Sequence, residues 1–536
     1  MVGVQENRLP MTTNRVCVAL RRRPWQWQWP RQILAVAGVI LGSLLPQVMG
    51  ADPPPNFVVI LTDDQGYGDL GCYGSQTIAT PGLDRMAREG IRFTDFYAAA
   101  PFCSPSRAAL LTGRLPARCG VPYVLFPAEH YGLPSKEVTL AEILKASGYA
   151  TGMVGKWHLG WRRELRPTQQ GFDEYFGLLH TNDIEEWGIG KAFHQLSAFE
   201  PLTLREGDKI IEQPVDQAQL TEKYTERAIE FIRTHRGRPF FLYLAHTMPH
   251  VPQYAGNAFA GKSKSGLYGD CVEEIDASTG RILDELRQLG LAKRTLVVFT
   301  SDNGASVRSS ARAGSNPRFP GRTLGGSNGP LRGGKGNMFE GGIRVPCIAW
   351  WPGSIATGRV ESSPLSSLDL FPTLAALAGA TLPANTVLDG MDLSALLRSN
   401  PDARMRAPRL LTHYFGVQLQ AVRRGQWKLI LPIAQLPAIR LPSIWFDHQP
   451  GLFERQHRLS STGVLYDLES DPGETTDVAE KYPEVVTRLL DMARNFDATF
   501  QPRIQTIEPL AGPKPPQPAQ VRSEKDDLTA WLELTR

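Results

Sequence analysis

Four short apolar runs, each broken off by a polar cluster, set the pattern of this chain. Residues 56–62 read Asn-Phe-Val-Val-Ile-Leu-Thr and stop at Asp63-Asp64. Residues 151–154 stop at Gly155-Lys156-Trp157-His158, and residues 240–245 at His246, with His250 close behind. Residues 296–300 stop at Ser301-Asp302-Asn303-Gly304. Unbroken apolar runs of this length belong to strands buried on both faces, as in a parallel sheet. Between them, residues 83–89, 140–147, 219–233 and 271–289 carry apolar positions at helical spacing. Strands alternating with helices predict an α/β fold with a large, mostly parallel sheet flanked by helices. Such sheets bind ligands outside the carboxyl ends of their strands. The four polar clusters stand there, so a site is expected among them.

Past residue 409 the pattern changes. Residues 410–415, 420–423, 427–430 and 463–468 are short, often alternating runs with turns between them. They predict a small antiparallel sheet, followed by a helix over 483–496. Residues 306–336, rich in Gly, Ser, Arg and Asn, read as a long loop with Lys335 near its end. A Pro-rich stretch at 513–518 reads as loosely ordered. The expected organisation is a leader over 1–50, a main domain over 51–405, a C-terminal subdomain of antiparallel sheet plus helix over 406–500, and an extended tail over 501–536.

Composition adds bounds. With 536 residues, 42% of them hydrophobic and 21% charged, the chain is an ordinary globular protein with room for one large domain and a smaller one. A net charge of +4 is too small to imply nucleic-acid binding, though a local basic site for an anion is compatible with it. Arg21 to Arg23 and Arg31 precede an apolar run over 33–45, and small residues follow at Gly50 and Ala51. That layout predicts a secretory signal peptide, hence an exported protein, periplasmic or secreted, with no stable membrane span after processing. A retained N-terminal membrane anchor is the competing reading. Of the six cysteines, Cys17 falls in the leader, and Cys72, Cys119, Cys271 and Cys347 are widely spaced without metal-type pairs. Export permits disulfides among these four, but their pairing cannot be read from spacing.

The sixth is Cys103. Residues 103–114 read Cys-Ser-Pro-Ser-Arg-Ala-Ala-Leu-Leu-Thr-Gly-Arg. Pro105 suits a first helical turn, and a group at a helix start feels backbone N–H groups that favour negative charge. Arg107, four residues on, comes to the same face one turn later and can hold an anion. A lone cysteine before a helix is more often a core residue. The whole motif, however, resembles the C-x-P-S-R signature of the formylglycine-dependent, type I sulfatases, a family of the alkaline phosphatase superfamily. The resemblance extends over roughly residues 55 to 500.

The other clusters fit that resemblance. Asp63, Asp64, Asp302 and Asn303 are hard oxygen donors suited to calcium or magnesium. The resemblance implies one divalent cation there, usually calcium with magnesium as the alternative, and the modified Cys103 as a further ligand. Gly155-Lys156-Trp157-His158-Leu159-Gly160 matches the family's G-K-W-H-L-G segment, which implies that Lys156 contacts sulfate and His158 the nucleophile. His246-Thr247-Met248-Pro249-His250 resembles the segment whose second histidine faces the leaving oxygen, with His246 either behind it or facing substrate. Lys335 matches the family's last sulfate-binding lysine and is a candidate acid. Thr181 lies near where some relatives place a hydroxyl on the sulfate.

The implied reaction is covalent catalysis. A maturation enzyme oxidises Cys103 to formylglycine. One hydroxyl of the hydrated aldehyde attacks sulfur, and the alcohol leaves with a proton from Lys335 or His250. The second hydroxyl gives its proton to His158, and C–O cleavage releases sulfate. The expected substrate is a sulfate monoester, aryl sulfate or sulfated carbohydrate. The main alternative is a phosphatase or phosphonate monoester hydrolase of the same superfamily. A two-zinc site would need more His and Asp ligands than the clusters offer, which favours the sulfatase. A non-catalytic sulfated-glycan binder would have no use for Cys103. The loops at 185–208, 306–332 and 433–458 are where specificity is expected.

Overall fold

Apolar side chains alternate between two cores along the strand Asn56–Thr62. Phe57, Val59 and Leu61 face one, Val58 and Ile60 the other, which explains why the run is apolar throughout. In the computed structural model, which describes residues 54–126, 130–184, 202–306, 325–384, 386–398, 408–432 and 463–500, this strand lies near the middle of a ten-stranded sheet. The order is Arg359–Glu361, Ile91–Phe93, Cys347–Trp350, Thr295–Ser301, Asn56–Thr62, Phe240–Ala245, Ala150–Lys156, Glu174–Leu178, Leu204–Glu206 and Lys209–Glu212. Thr295–Ser301 through Glu174–Leu178 run parallel to one another. The strands Cys347–Trp350, Leu204–Glu206 and Lys209–Glu212 pair antiparallel at the flanks. Helices Pro81–Glu89, Leu220–Thr234 and Gly266–Gln288 belong to one core, and Leu140–Ala146 and Leu370–Ala378 to the other.

Register decides where the polar clusters land. Leu61 is level with Ala245 and with Thr300, and Ala245 is level with Gly155. The residues just beyond, Asp63, His246, Lys156 and Asp302, therefore rise from one edge of the sheet. Gly155 is required for this: its φ is +111°, and a Cβ there would stand 1.8 Å from the Ala245 carbonyl oxygen.

The C-terminal sheet is antiparallel throughout, in the order Leu410–Phe415, Gln418–Arg424, Trp427–Ile430, Val464–Asp467. Helix Pro483–Asp497 packs Val485, Val486 and Leu489 on one face of it. Its other face meets Phe102, Met338 and Phe339. A buried ion network crosses this joint. Lys428 sits 2.9 Å from both Glu340 and Glu474, the Glu340 N–H donates to Glu474 at 2.6 Å, and Arg423 pairs with Asp95 at 2.7 Å. The C-terminal sheet thus holds the end of the segment that carries Lys335.

The leader, the tail, residues 513–518 and most of the three proposed specificity loops lie outside the described residues. Cys72, Cys103, Cys119, Cys271 and Cys347 are all free thiols, so none of the four cysteines considered for disulfides is paired. Among the described residues no helix is long and apolar enough to cross a membrane.

Candidate active site

Cys103 opens the helix Cys103–Thr112, whose residues are all buried. Phe102, in extended conformation, precedes it. The Cys103 Sγ lies 3.4 Å from Asp63 Oδ1, 3.9 Å from Asp64 Oδ1 and 3.5 Å from Lys335 Nζ. Burial and the Asp63 carboxylate push this thiol well above its usual pKa. A thiolate is therefore disfavoured here, unlike in enzymes that use cysteine itself as nucleophile.

Three carboxylates and three cations are interleaved around it. Arg107 does not turn towards Cys103. Its Nε and one terminal nitrogen donate to Asp302 Oδ2 at 3.1 and 2.8 Å, the same nitrogen lies 3.2 Å from Asp63, and the other donates to the Lys156 carbonyl at 2.8 Å. Lys156 Nζ pairs with Asp63 at 2.5 Å, and Lys335 Nζ with Asp64 at 2.7 Å. Burial alone would raise the Asp63 carboxyl, but Lys156, His250, Arg107 and Lys335 together hold it far below the carboxylate range. Burial would likewise lower Lys335, yet Asp64 and its neighbours keep it protonated.

Asp64 has φ 63° and His158 φ 56°. Left-handed backbone at non-glycine residues costs about 1–3 kcal/mol and collects at functional sites. At Asp64 the turn lets two successive carboxylates face the same centre, and its N–H donates to Asp302 Oδ1 at 3.1 Å.

The donor set fits a hard cation. Asp63, Asp64, Cys103 and His250 each offer a ligand atom, all within 4.8 Å of one another. Asn303 donates its amide to Asp64 Oδ1 at 2.8 Å, while its Oδ1 is buried without a partner. Turning that amide over would bring an oxygen to the Asp64 carboxylate. Two converging buried carboxylates, with Asp302 bonded to the Asp64 N–H and a displaceable amide beside them, suit calcium or magnesium. Such an ion would also leave the cluster with excess positive charge, as an anionic ester requires.

His250 presents Nε2 at 3.6 Å from Asp64, and its Nδ1 lies 3.2 Å from Asn182 Oδ1 and 2.5 Å from the Val251 carbonyl. Two acceptors at Nδ1 fix the proton there and leave Nε2 for the site. His158 Nε2 lies 2.9 Å from the Leu125 carbonyl, while Nδ1 is buried without a partner. Burial and the charge of Lys156 push the His158 pKa well down, so the ring is neutral. His246 is fully buried beside the Tyr224 ring, 6.4 Å between centroids, and both its nitrogens lack partners.

The fold brings Asp63, Asp64, Cys103, Arg107, Lys156, His250, Asp302, Asn303 and Lys335 into one network of contacts, whereas the His158 side chain bonds the Leu125 carbonyl and none of these side chains. His180 and Asn182 went unnoticed in the sequence. The only available signal was their position, just beyond the end of the strand Glu174–Leu178.

The chain is similar to known proteins over most of its length. The family model described as Sulfatase matches residues 55–380, and that for the C-terminal region of aryl-sulfatase matches 406–520. Steryl-sulfatase of Mus musculus is 37% identical over 565 residues, covering 90% of this chain and 89% of the relative. Arylsulfatase A of Homo sapiens is 41% identical over 471 residues, covering 81% and 86%. Among solved structures, that of Ps i-CgsB in complex with k-i-k-neocarrahexaose is 28% identical with a TM-score of 0.66, covering 90% of this chain and 98% of that one.

Proposed function

This chain belongs to the type I sulfatases of the alkaline phosphatase superfamily and is a sulfuric ester hydrolase, and from that premise we propose that it works through a formylglycine made from Cys103. The observation that carries the reading is the position of Cys103: a helix start, in contact with Asp63, Asp64 and Lys335, where burial and the Asp63 carboxylate disfavour a thiolate. Oxidation by a maturation enzyme would place a hydrated aldehyde at that point.

Asp63, Asp64, Asp302 and Asn303 would hold one divalent cation beside residue 103, calcium or magnesium. When bound it supplies positive charge opposite the ester oxygens and acidifies the attacking hydroxyl. Lys156 and Lys335 bind sulfate oxygens, and Arg107 holds Asp302 and Asp63 in place. One hydroxyl, ionised with its proton lost to solvent, forms the new O–S bond as the bond to the alcohol breaks. Lys335 delivers the proton that the departing alkoxide needs, or His250 does so from Nε2 in its doubly protonated form. The second hydroxyl passes its proton to His158 Nδ1, C–O cleavage frees sulfate, and water rehydrates the aldehyde. The basic, apolar, then small layout of the leader supports export of the mature enzyme.

Mass spectrometry tests the first step. The peptide bearing residue 103, from enzyme made in a host with the maturation enzyme, should carry an aldehyde or its hydrate. Active enzyme with a fully alkylatable Cys103 thiol would overturn the reading. His158→Ala should slow release of sulfate rather than of alcohol. Stopped-flow should then show a burst of alcohol before slow turnover, with kcat down about 10²–10⁴-fold. Slow turnover without a burst would remove His158 from the second step.

A further inference from the structure

We propose that His180 is a specificity-determining residue that hydrogen-bonds a hydroxyl on the alcohol half of the substrate, so that the site is built for a hydroxylated, carbohydrate-type sulfate ester rather than a plain aryl sulfate. This rests on the sulfatase reading above and refines it.

The placement comes from the backbone. Past the strand Glu174–Leu178, the chain runs alongside the segment of Lys156 and His158. The Trp157 N–H donates to the Leu178 carbonyl at 2.9 Å, and the His158 N–H to the Leu179 carbonyl at 3.0 Å. Two residues beyond His180, the Asn182 side chain reaches His250 Nδ1 at 3.2 Å. Asn182 is itself fixed by Gln217 at 3.1 Å and by the Pro252 carbonyl at 3.0 Å. His180 and Thr181 therefore span the gap between the two site histidines, on the side where Lys156 lies.

The chemistry comes from what these side chains lack. His180 is 5% exposed and Thr181 6%. Neither nitrogen of the His180 ring has a hydrogen-bond partner, nor does the Thr181 hydroxyl. Burying a donor and an acceptor unpaired is costly, and such groups in a site mark the place of a polar ligand. The ring is neutral, since burial and Lys156 push its pKa down to about 3. A neutral imidazole offers one N–H and one lone pair. A hydroxyl, which both donates and accepts, can bond either ring nitrogen, whereas a second anion could only accept from the N–H. Lys156, Lys335 and His250 already serve the sulfate, which leaves His180 for the group next to it.

The test compares selectivity in the mature, formylglycine-bearing enzyme. The probes are monosulfated galactose and N-acetylgalactosamine isomers, with 4-nitrophenyl sulfate as the hydroxyl-free reference. For His180→Phe the ratio of kcat/KM on the best sugar to that on the aryl ester should fall about tenfold or more, as expected when a site built for a hydroxyl loses its partner. His180→Gln, which keeps a donor and an acceptor, should recover most of that ratio. His180→Met serves if the Phe variant does not fold. An unchanged ratio would overturn the proposal, because a merely structural role lowers both activities together. Wild-type enzyme that cleaves the aryl ester but no sugar would also overturn it, with the sulfatase reading intact. Cleavage of neither class would overturn the sulfatase reading itself.

Discussion

Cys103→Ser is expected to reduce kcat by about 10⁴–10⁶-fold, the loss seen when a covalent nucleophile is removed, while leaving the fold in place. Serine is close to cysteine in size, and nothing around residue 103 depends on sulfur. The contacts at 3.4 to 3.9 Å to Asp63, Asp64 and Lys335 are polar, and a hydroxyl can make them. What serine lacks is the second hydroxyl of a hydrated aldehyde. A single oxygen can accept the sulfuryl group but cannot eject it by C–O cleavage. The variant should therefore accumulate as a stoichiometrically sulfated protein, visible as one sulfuryl increment in its intact mass. Steady-state kinetics supply the rate and circular dichroism the control for folding. A serine variant that turns over near the wild-type rate would show that one hydroxyl suffices, and the proposed mechanism would fail.

Residue 103 was legible because its neighbours form a contiguous motif, and the same holds for the Lys156 to His158 segment. Asp63, Asp64, Asp302 and Asn303 were legible for a different reason: fully buried parallel strands are apolar at every position, so the polar residues that end them stand out. The edge strands offered no such contrast. Arg359–Glu361 and Lys209–Glu212 are short and carry charges; the first is held extended by the distant strand Ile91–Phe93, the second by a tight hairpin with Leu204–Glu206. The ion network of Glu340, Lys428 and Glu474 was equally hidden. Its members lie 88 and 134 residues from Glu340, and each alone reads as a solvated charge. The left-handed conformations at Asp64 and His158 had no sequence signal, since neither is glycine. The role of Arg107 shifted too. Helical spacing put it on the face of Cys103, but the stronger attraction of two buried carboxylates turns its guanidinium to Asp302 and Asp63.

That shift makes Asp302 the residue whose loss should be felt in most ways at once. Its Oδ2 accepts two bonds from Arg107 and its Oδ1 takes the Asp64 N–H. Asp302→Ala would leave a fully buried guanidinium with Asp63 as its remaining carboxylate partner, at 3.2 Å. Breaking one side of a buried ion pair costs about 3–5 kcal/mol, which denaturant unfolding would register. It would also free Asp64 from the bond that supports its left-handed backbone, so the second carboxylate would lose its aim. The variant should bind little divalent metal by elemental analysis. Its kcat/KM should fall at least about 10³-fold, since a bound cation supplies several kcal/mol of charge stabilisation. Asp302→Asn separates the two effects. The amide oxygen can still accept from Asp64 or from Arg107, so stability should recover in part, whereas the lost negative charge should keep metal content and activity low. An Asp302→Ala enzyme with full metal and activity would strike Asp302 from the cation site. Unchanged stability in that enzyme would show that Arg107 does not depend on it.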